Sequence, residues 1–192
     1  VEFMSRAAVV SCSSWPASNY VTIFNSTDTP ARTDLTDYSR LVLGLRFTTP
    51  VAGNVTAVRF FKARSEGGTD HTANIYEWSS GKLLATSDYV NDAVCTGGQW
   101  VSIPLSPPLA TSVGTEYVVA LDSLLYYAKS DVFDMSGKAG RPVVPTVGGA
   151  VYSFRSGHMP KDAASYTANY WIDGEHHRDK GTAGITQRTP CS

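Results

Sequence analysis

The fold is indicated most clearly by residues 41–48, which read LVLGLRFT. Apolar side chains occupy every second position from Leu41 to Phe47, and the positions between them include Gly44 and Arg46. Successive side chains of a β-strand point to opposite faces, so a period of two is typical of a strand with one buried face. We therefore predict a half-buried strand here.

The same pattern returns along the chain, interrupted by turn signals such as Ser79-Ser80-Gly81. No segment has the 3.6-residue period of an amphipathic helix. Further strands are predicted at residues 54–62, 73–78, 82–89, 100–105, 115–122, 124–128, 150–155 and 169–173. Short strands separated by frequent turns predict an all-β chain: a single antiparallel β-sandwich, jelly-roll-like, with little or no helix.

The composition is that of one globular domain. Of the 192 residues, 42% are hydrophobic and 17% are charged, which argues against disorder. The 16 Lys and Arg residues against 17 Asp and Glu give a net charge of −1, so there is no basic excess for nucleic-acid binding. No apolar run approaches the roughly 20 residues of a membrane span. Neither nucleic acid nor membrane insertion is therefore expected.

We expect the sandwich to occupy residues 20–173, where the period-two pattern is found. Residues 1–19 have little pattern and are predicted to form an N-terminal arm, in which Val1-Glu2-Phe3 is interpreted as a cloning scar. Residues 174–192 are polar and are predicted to form a C-terminal arm. His176 and His177 lie in this arm, where we expect them to be solvated.

The cysteines and sequons indicate an oxidising, extracellular setting. Cys12 and Cys191 flank the patterned region, and we expect them to pair because the termini of a sandwich often lie close together. Cys95 is then free; the alternative is that it takes part in the disulfide. Two glycosylation sequons begin at Asn25 and Asn54. We therefore predict a secreted glycoprotein.

Four ordered segments resemble a known family, the domain of unknown function 4082. They are Thr22-Ile23-Phe24 with Thr29-Pro30; Leu43–Phe47 with Gly53 and Val58–Lys62; His71-Thr72 through Trp78, Gly81 and Leu83-Leu84-Ala85 to Gly98-Gln99-Trp100; and Val151-Tyr152 with Phe154, Pro160, Tyr166 and Asn169–Asp173. The resemblance covers residues 20–173. It implies a jelly-roll-like β-sandwich of secreted or surface proteins with a carbohydrate-binding role, and it carries over no catalytic residue.

A sugar site is predicted at the last strand. Under the period-two rule Asn169, Trp171 and Asp173 share one face, and an aromatic ring between polar groups suits the apolar face and hydroxyls of a pyranose. The alternative is that Trp171 caps the edge of the core while Asn169 and Asp173 bond turn backbone. Additional candidate ligand contacts are Tyr126, Tyr127, Tyr152, Arg155 and His158.

The sequence contains weaker indications of a metal site or of catalysis. Asp131 and Asp134 are candidate ligands for a structural calcium ion, which is bound by oxygen atoms, but no calcium-loop motif is present. No GxSxG motif marks a nucleophile, and His71 next to Asp70 is interpreted as structural.

The sequence therefore favours a secreted, non-catalytic, lectin-like module that binds carbohydrate or glycoprotein at a cell surface, wall or matrix. Two alternatives stay open. One is a structural or protein-interaction adhesion module, and the other is a jelly-roll polysaccharide lyase or hydrolase.

Overall fold

The computed structural model describes residues 10–12, 20–25, 28–67, 71–131, 144–165 and 168–178. In these ranges the chain forms strands and no helix, and so no helix that could cross a membrane. The strands are β1 (Ser11–Cys12), β2 (Tyr20–Val21), β3 (Arg32–Leu35), β4 (Leu41–Thr48), β5 (Gly53–Lys62), β6 (Thr72–Glu77), β7 (Leu83–Thr86), β8 (Gln99–Thr111), β9 (Glu116–Leu124), β10 (Tyr127–Lys129), β11 (Val144–Ser153), β12 (Asp162–Ala163) and β13 (Ile172–Arg178).

Two antiparallel sheets pack face to face, which confirms the predicted all-β sandwich. One sheet has five strands in the order β1-β8-β5-β13-β2, and the other has six in the order β12-β11-β4-β9-β6-β7. A two-stranded ribbon, β10-β3, lies beside them. All of these pairings are antiparallel.

The core lies between the two sheets and follows the predicted alternation. Leu41, Leu43, Leu45 and Phe47 of β4 are buried in one large apolar cluster with residues from the five-stranded sheet, such as Phe60. Because burial of each such side chain contributes about 1.5–3 kcal/mol, this cluster is the main source of the sandwich's stability.

The prediction that β4 has one buried face is wrong, because both faces are covered. Val42 packs with Val118, Val151 and Met159 in a second cluster on the other face. Gly44 lies under the same cover, and a Cβ atom there would meet the Pro160 Cγ at 3.1 Å. The loop after β11 therefore closes the outer face of the six-stranded sheet.

The disulfide differs from the expected one. Cys12 is bonded to Cys95, with their Cα atoms 5.3 Å apart, so the predicted pairing of Cys12 with Cys191 is wrong. The reason is that β1 pairs with β8, which places Cys12 beside the loop that leads into β8. Cys191 lies outside the described residues.

The sandwich includes residues that the sequence assigned to both arms. β1 lies in the five-stranded sheet, and β13 continues to Arg178, past the predicted limit at residue 173. On this strand His176 is buried rather than solvated, and its Nε2 lies 3.1 Å from the Thr111 Oγ1. The sequence does not predict this extension, because the residues after 173 are polar. In the structure, their side chains form hydrogen bonds within the sheet.

Candidate functional site

The predicted sugar platform around Trp171 is not a solvent-facing surface. Trp171 is 2% exposed, and Asn169 and Asp173 are fully buried, so the prediction that these three residues face solvent is wrong. Trp171 has φ 57°, which breaks the alternation just before β13 begins. The Asn169 Oδ1 accepts a 2.9 Å hydrogen bond from the Trp171 backbone N–H, as the alternative interpretation expected for a turn.

Three aromatic rings, Phe24, Trp100 and Trp171, form a buried group that we call the ring cluster. The Phe24 ring stacks on Trp171 with centroids 4.8 Å apart and tilts against Trp100 at 5.4 Å. The Trp171 Nε1 donates a 3.0 Å hydrogen bond to the Ser130 Oγ. The indole is therefore satisfied inside the protein, both in its ring contacts and in its N–H.

Residues 20–25, which we call the covering segment, close this region. The backbone N–H groups of Ile23 and Phe24 donate to the two carboxylate oxygens of Asp173 at 3.1 and 3.2 Å. Asp173 also lies 3.4 Å from the Arg59 Nη2, with both side chains buried. Burial raises the pKa of Asp173 to about 6, against the opposing effects of Arg59 and the backbone donors.

A second aromatic group is partly open to solvent: Phe154 is exposed, Tyr127 and Tyr152 are half-buried, and Tyr170 is buried. It forms a groove of about 240 Å³, which we call the aromatic groove. Its lining consists of four aromatic side chains, two leucines and two charged groups: Tyr127, Tyr152, Phe154, Tyr170, Leu41, Leu43, Asp37 and Lys129. Phe154 is 58% exposed, so its ring is available to a ligand.

The groove forms where the ribbon meets the six-stranded sheet. Tyr152 lies near the end of β11 and is paired with Leu43 of β4, so both side chains are on the same face. Tyr127 lies on β10 and is paired with Leu35 of β3. Tyr170 comes from the segment just before β13 and contacts Tyr127 edge-to-face at 5.8 Å. Three separate parts of the chain thus bring their rings together.

The polar groups of the groove suit hydrogen bonding rather than proton transfer. The Tyr127 hydroxyl donates a 2.9 Å bond to the Asp37 carboxylate. Burial and this bond raise the pKa of Tyr127 well above its usual value, and burial with neighbouring Tyr152 and Asp37 raises the pKa of Tyr170 to about 12. Both hydroxyls stay protonated at neutral pH. The Tyr127 oxygen is left to accept a further hydrogen bond, because its proton is donated to Asp37.

The other predicted ligand contacts have different positions. Tyr127 and Tyr152 line the groove, whereas Tyr126 does not; its backbone N–H donates to the Glu66 carboxylate at 2.8 Å. Arg155 and His158 are exposed and line a separate pocket. Sequence reasoning missed Asp37, Lys129 and Tyr170. Tyr170 stands beside Trp171, and a turn signal at Asn169 could have warned that strict alternation fails there.

The calcium candidates receive no support from the geometry. Asp131 lies 2.5 Å from the Arg32 Nη2 and 2.9 Å from the Lys129 Nζ, so two cations already neutralise it. Its pKa is lowered, first by the hydrogen bond from Lys129. Asp134 lies outside the described residues. Within the described ranges no group of three or more His, Cys, Asp or Glu side chains is placed to hold a metal ion.

The sequons differ in their surroundings. Asn25 is exposed, and the rest of its sequon lies outside the described residues. Asn54 is half-buried on β5, where it is paired with Ala110 and His177. Glycosylation at both sites stays a prediction.

One further group of ionisable residues is enclosed. His71 is fully buried, with its Nε2 3.7 Å from the Glu66 Oε1 and 3.8 Å from the Asp92 Oδ1. The Lys62 Nζ lies 3.3 Å from the same Asp92 oxygen. A buried histidine between carboxylates resembles catalytic machinery, but no substrate reaches it in this conformation. Asp70, its sequence neighbour, lies outside the described residues.

The comparison with known families agrees with the fold. Residues 27–172 match the domain of unknown function DUF4082. The match spans most of the chain, and the protein belongs to this family. No curated protein matches the chain.

Proposed function

We propose that this protein is an extracellular carbohydrate-binding module whose ligand lies in the aromatic groove. The observation that carries the proposal is the convergence of four aromatic rings, one exposed carboxylate and one lysine in an open groove. Aromatic faces pack against the apolar face of a pyranose, and a few placed polar groups fix its hydroxyls.

The polar side chains of the aromatic groove support a hydroxyl-rich ligand. Asp37 accepts hydrogen bonds, as does the Tyr127 hydroxyl, whose own proton is donated to Asp37. The protonated hydroxyl of Tyr170 both donates and accepts them. Sugar hydroxyls have the same dual character. Single sugar modules typically bind weakly, so a dissociation constant between about 1 μM and 1 mM, or about −8 to −4 kcal/mol, is expected.

The described lining of the groove favours binding over hydrolysis. A glycoside hydrolase generally uses two carboxyl groups, about 5–9 Å apart, on either side of the scissile bond. The described lining supplies one, Asp37. The lyase or hydrolase alternative is tested by release of reducing or unsaturated ends from each bound polysaccharide.

The Cys12–Cys95 disulfide supports an extracellular setting, because disulfides persist in oxidising compartments. Secretion remains part of the proposal, as do the wall, surface or matrix at which the module would act.

A glycan and polysaccharide array tests the proposal, run with calcium and with EDTA. The wild type should bind one sugar class, and Phe154→Ala should lose at least tenfold in affinity because it removes an exposed ring from the groove. Tyr89→Ala is the matched control, since Tyr89 is 82% exposed and does not line the groove. No binding to any glycan on the array, or an equal loss of affinity in both variants, would overturn the assignment of this site.

A second candidate function is protein interaction, favoured by the edge of the six-stranded sheet. The outer strand β7 pairs only with β6 among the described strands, and its Leu83 is 46% exposed. Between β7 and β8 lies an apolar groove of about 300 Å³ that includes Pro107 and Pro108. An exposed edge strand offers backbone groups for strand addition. Binding lost in Leu83→Asp but kept in Phe154→Ala would favour this function.

A further inference from the structure

A second pocket lies on the far side of β11 from the aromatic groove. It has a volume of about 360 Å³ and is lined by Gly81, Ser153, Arg155, His158, Met159, Lys161 and Asp162. Tyr152 and Phe154 belong to the groove, whereas Ser153 and Arg155 belong to this pocket. Tyr152 and Ser153, the last two residues of β11, thus serve different sites, and Phe154 and Arg155 follow in the bend after the strand.

The pocket has cationic side chains that are not neutralised by ion pairs. Among the described residues, neither Arg155 nor Lys161 lies within salt-bridge distance of a carboxylate. Asp162 is the one carboxylate of the described lining, so the two cations outnumber it. Unpaired guanidinium and ammonium groups in one concavity suit an oxyanion.

The loop that carries these groups is held in place by partly buried hydrogen bonds. The Asp122 carboxylate accepts from the Ser156 Oγ at 2.8 Å and from the Gly157 N–H at 2.7 Å. The His158 Nδ1 lies 2.9 Å from the Ser156 carbonyl oxygen, which fixes the imidazole ring. A ligand would therefore meet a largely preformed site and would not have to order the loop.

Gly81 forms part of the pocket wall beside Lys161. Its backbone has φ 71°, a conformation that favours glycine, and a Cβ atom there would be 3.7 Å from both the Lys161 Nζ and the Met159 Cε. The lysine ammonium therefore lies next to the turn that contains Gly81.

We propose that this basic pocket binds an anionic substituent, a carboxylate or a sulfate ester, of the glycan that occupies the aromatic groove. The inference rests on the proposed function and narrows its ligand to an acidic polysaccharide. Arg155 supplies a planar donor pair for the oxyanion, and Lys161 supplies a point charge.

The two sites are close enough for one glycan chain. Three residue steps from Tyr152 to Arg155 span at most about 11 Å between Cα atoms, even when fully extended. An acidic polysaccharide that packs a sugar ring against Tyr152 and Phe154 would thus carry its next anionic groups past the end of β11, toward Arg155.

The test uses two pairs of polysaccharides, each an acidic form with its uncharged counterpart: polygalacturonate with its methyl ester, and dextran sulfate with dextran. The first pair reports a carboxylate and the second reports sulfate. Dissociation constants are measured for the wild type, Arg155→Gln, Lys161→Gln and Phe154→Ala. Arg64→Gln is the matched control, because it removes an exposed arginine that does not line the pocket.

We expect the acidic member of one pair to bind at least tenfold more tightly than its neutral partner. Arg155→Gln and Lys161→Gln should each weaken binding of the acidic form about tenfold and leave the neutral form unchanged, since each removes a charge-assisted hydrogen bond. Arg64→Gln should change neither, and the salt dependence should fall in the pocket variants.

The outcomes separate this inference from the proposed function. Equal binding of acidic and neutral forms, lost in Phe154→Ala but not in Arg155→Gln, would overturn the basic pocket and leave the groove in place. Acidic binding lost in Arg155→Gln but unchanged in Phe154→Ala would support the pocket and overturn the groove. If Arg64→Gln weakens binding as much as Arg155→Gln does, the polysaccharide is attracted to the positive charges of the protein surface in general. That result would overturn the pocket.

Discussion

The ring cluster and the aromatic groove are built from the same kinds of side chain, yet one is internal and the other is open. The ring cluster combines Phe24, Trp100 and Trp171 with the buried carboxylate of Asp173. The aromatic groove combines tyrosines and Phe154 with the exposed carboxylate of Asp37. The difference lies in the covering segment, residues 20–25, which closes the first region. Within the described residues no comparable segment covers the second.

This difference shows why residue type does not identify a sugar site by itself. Asp173 bonds the backbone of the covering segment, 150 residues away from Ile23 in the sequence. The Asp173 carboxylate and the Trp171 indole, which the sequence predicts would face a sugar, instead hold the covering segment in place. The predictions below test whether the two regions differ in this way.

The largest expected effect is on stability, in Trp171→Ala. Removing this buried ring leaves a cavity and should lower the free energy of unfolding by about 3–5 kcal/mol, whereas Phe154→Ala should change it by less than about 0.5 kcal/mol. Denaturant titration measures both. Similar losses in the two variants would mean that the ring cluster and the groove are equally packed.

Asp173→Ala should lower the free energy of unfolding nearly as much as Trp171→Ala does. It leaves the buried Arg59 guanidinium and the N–H groups of Ile23 and Phe24 without this acceptor, and breaking a buried ion pair typically costs about 3–5 kcal/mol. Asp37→Ala, in the groove, should leave the unfolding free energy almost unchanged and should reduce glycan affinity. A stable Asp173→Ala would contradict the structural role assigned to that carboxylate.

The disulfide should contribute about 2–5 kcal/mol, because it joins residues 83 apart and restricts the unfolded chain. Cys12→Ser and reduction of the wild type should give the same loss in a thermal melt. Peptide mapping should recover a Cys12–Cys95 link. A Cys12–Cys191 link would restore the sequence-based expectation and would contradict the position of β1.

A smaller effect is expected with pH. The folded-state pKa of Asp173 is about 6, above its ordinary value of 3.8, so the folded protein holds a proton that the unfolded chain releases in this window. This group therefore stabilises the fold most below pH 4, and its contribution falls as the pH rises from about 4 to about 6. Asp173→Ala should lack this decrease. Parallel stability profiles for the two proteins would contradict it.

The sequence predicts the sandwich because the alternation in β4 and in the other strands reports which side chains face the core. Sequence-based prediction fails where contacts between distant parts of the chain determine which side chains are buried. Trp171 and His176 look exposed in the sequence, yet a segment from the N-terminal region covers the first and the extension of β13 buries the second. Tyr127 and Tyr152, which the sequence predicts as ligand contacts, line the groove, but Asp37 and Tyr170 join them only through the ribbon and the turn before β13.

Amide chemical-shift mapping tests the central claim most directly, with ¹⁵N-labelled wild-type protein titrated with oligosaccharides of the sugar classes on the array. The account predicts saturable shifts at Asp37, Tyr127, Tyr170 and residues 152–154, with little change at Phe24 and Trp171. Shifts confined to β7 and β8, or no shifts with any oligosaccharide, would contradict the assignment of the aromatic groove as the binding site.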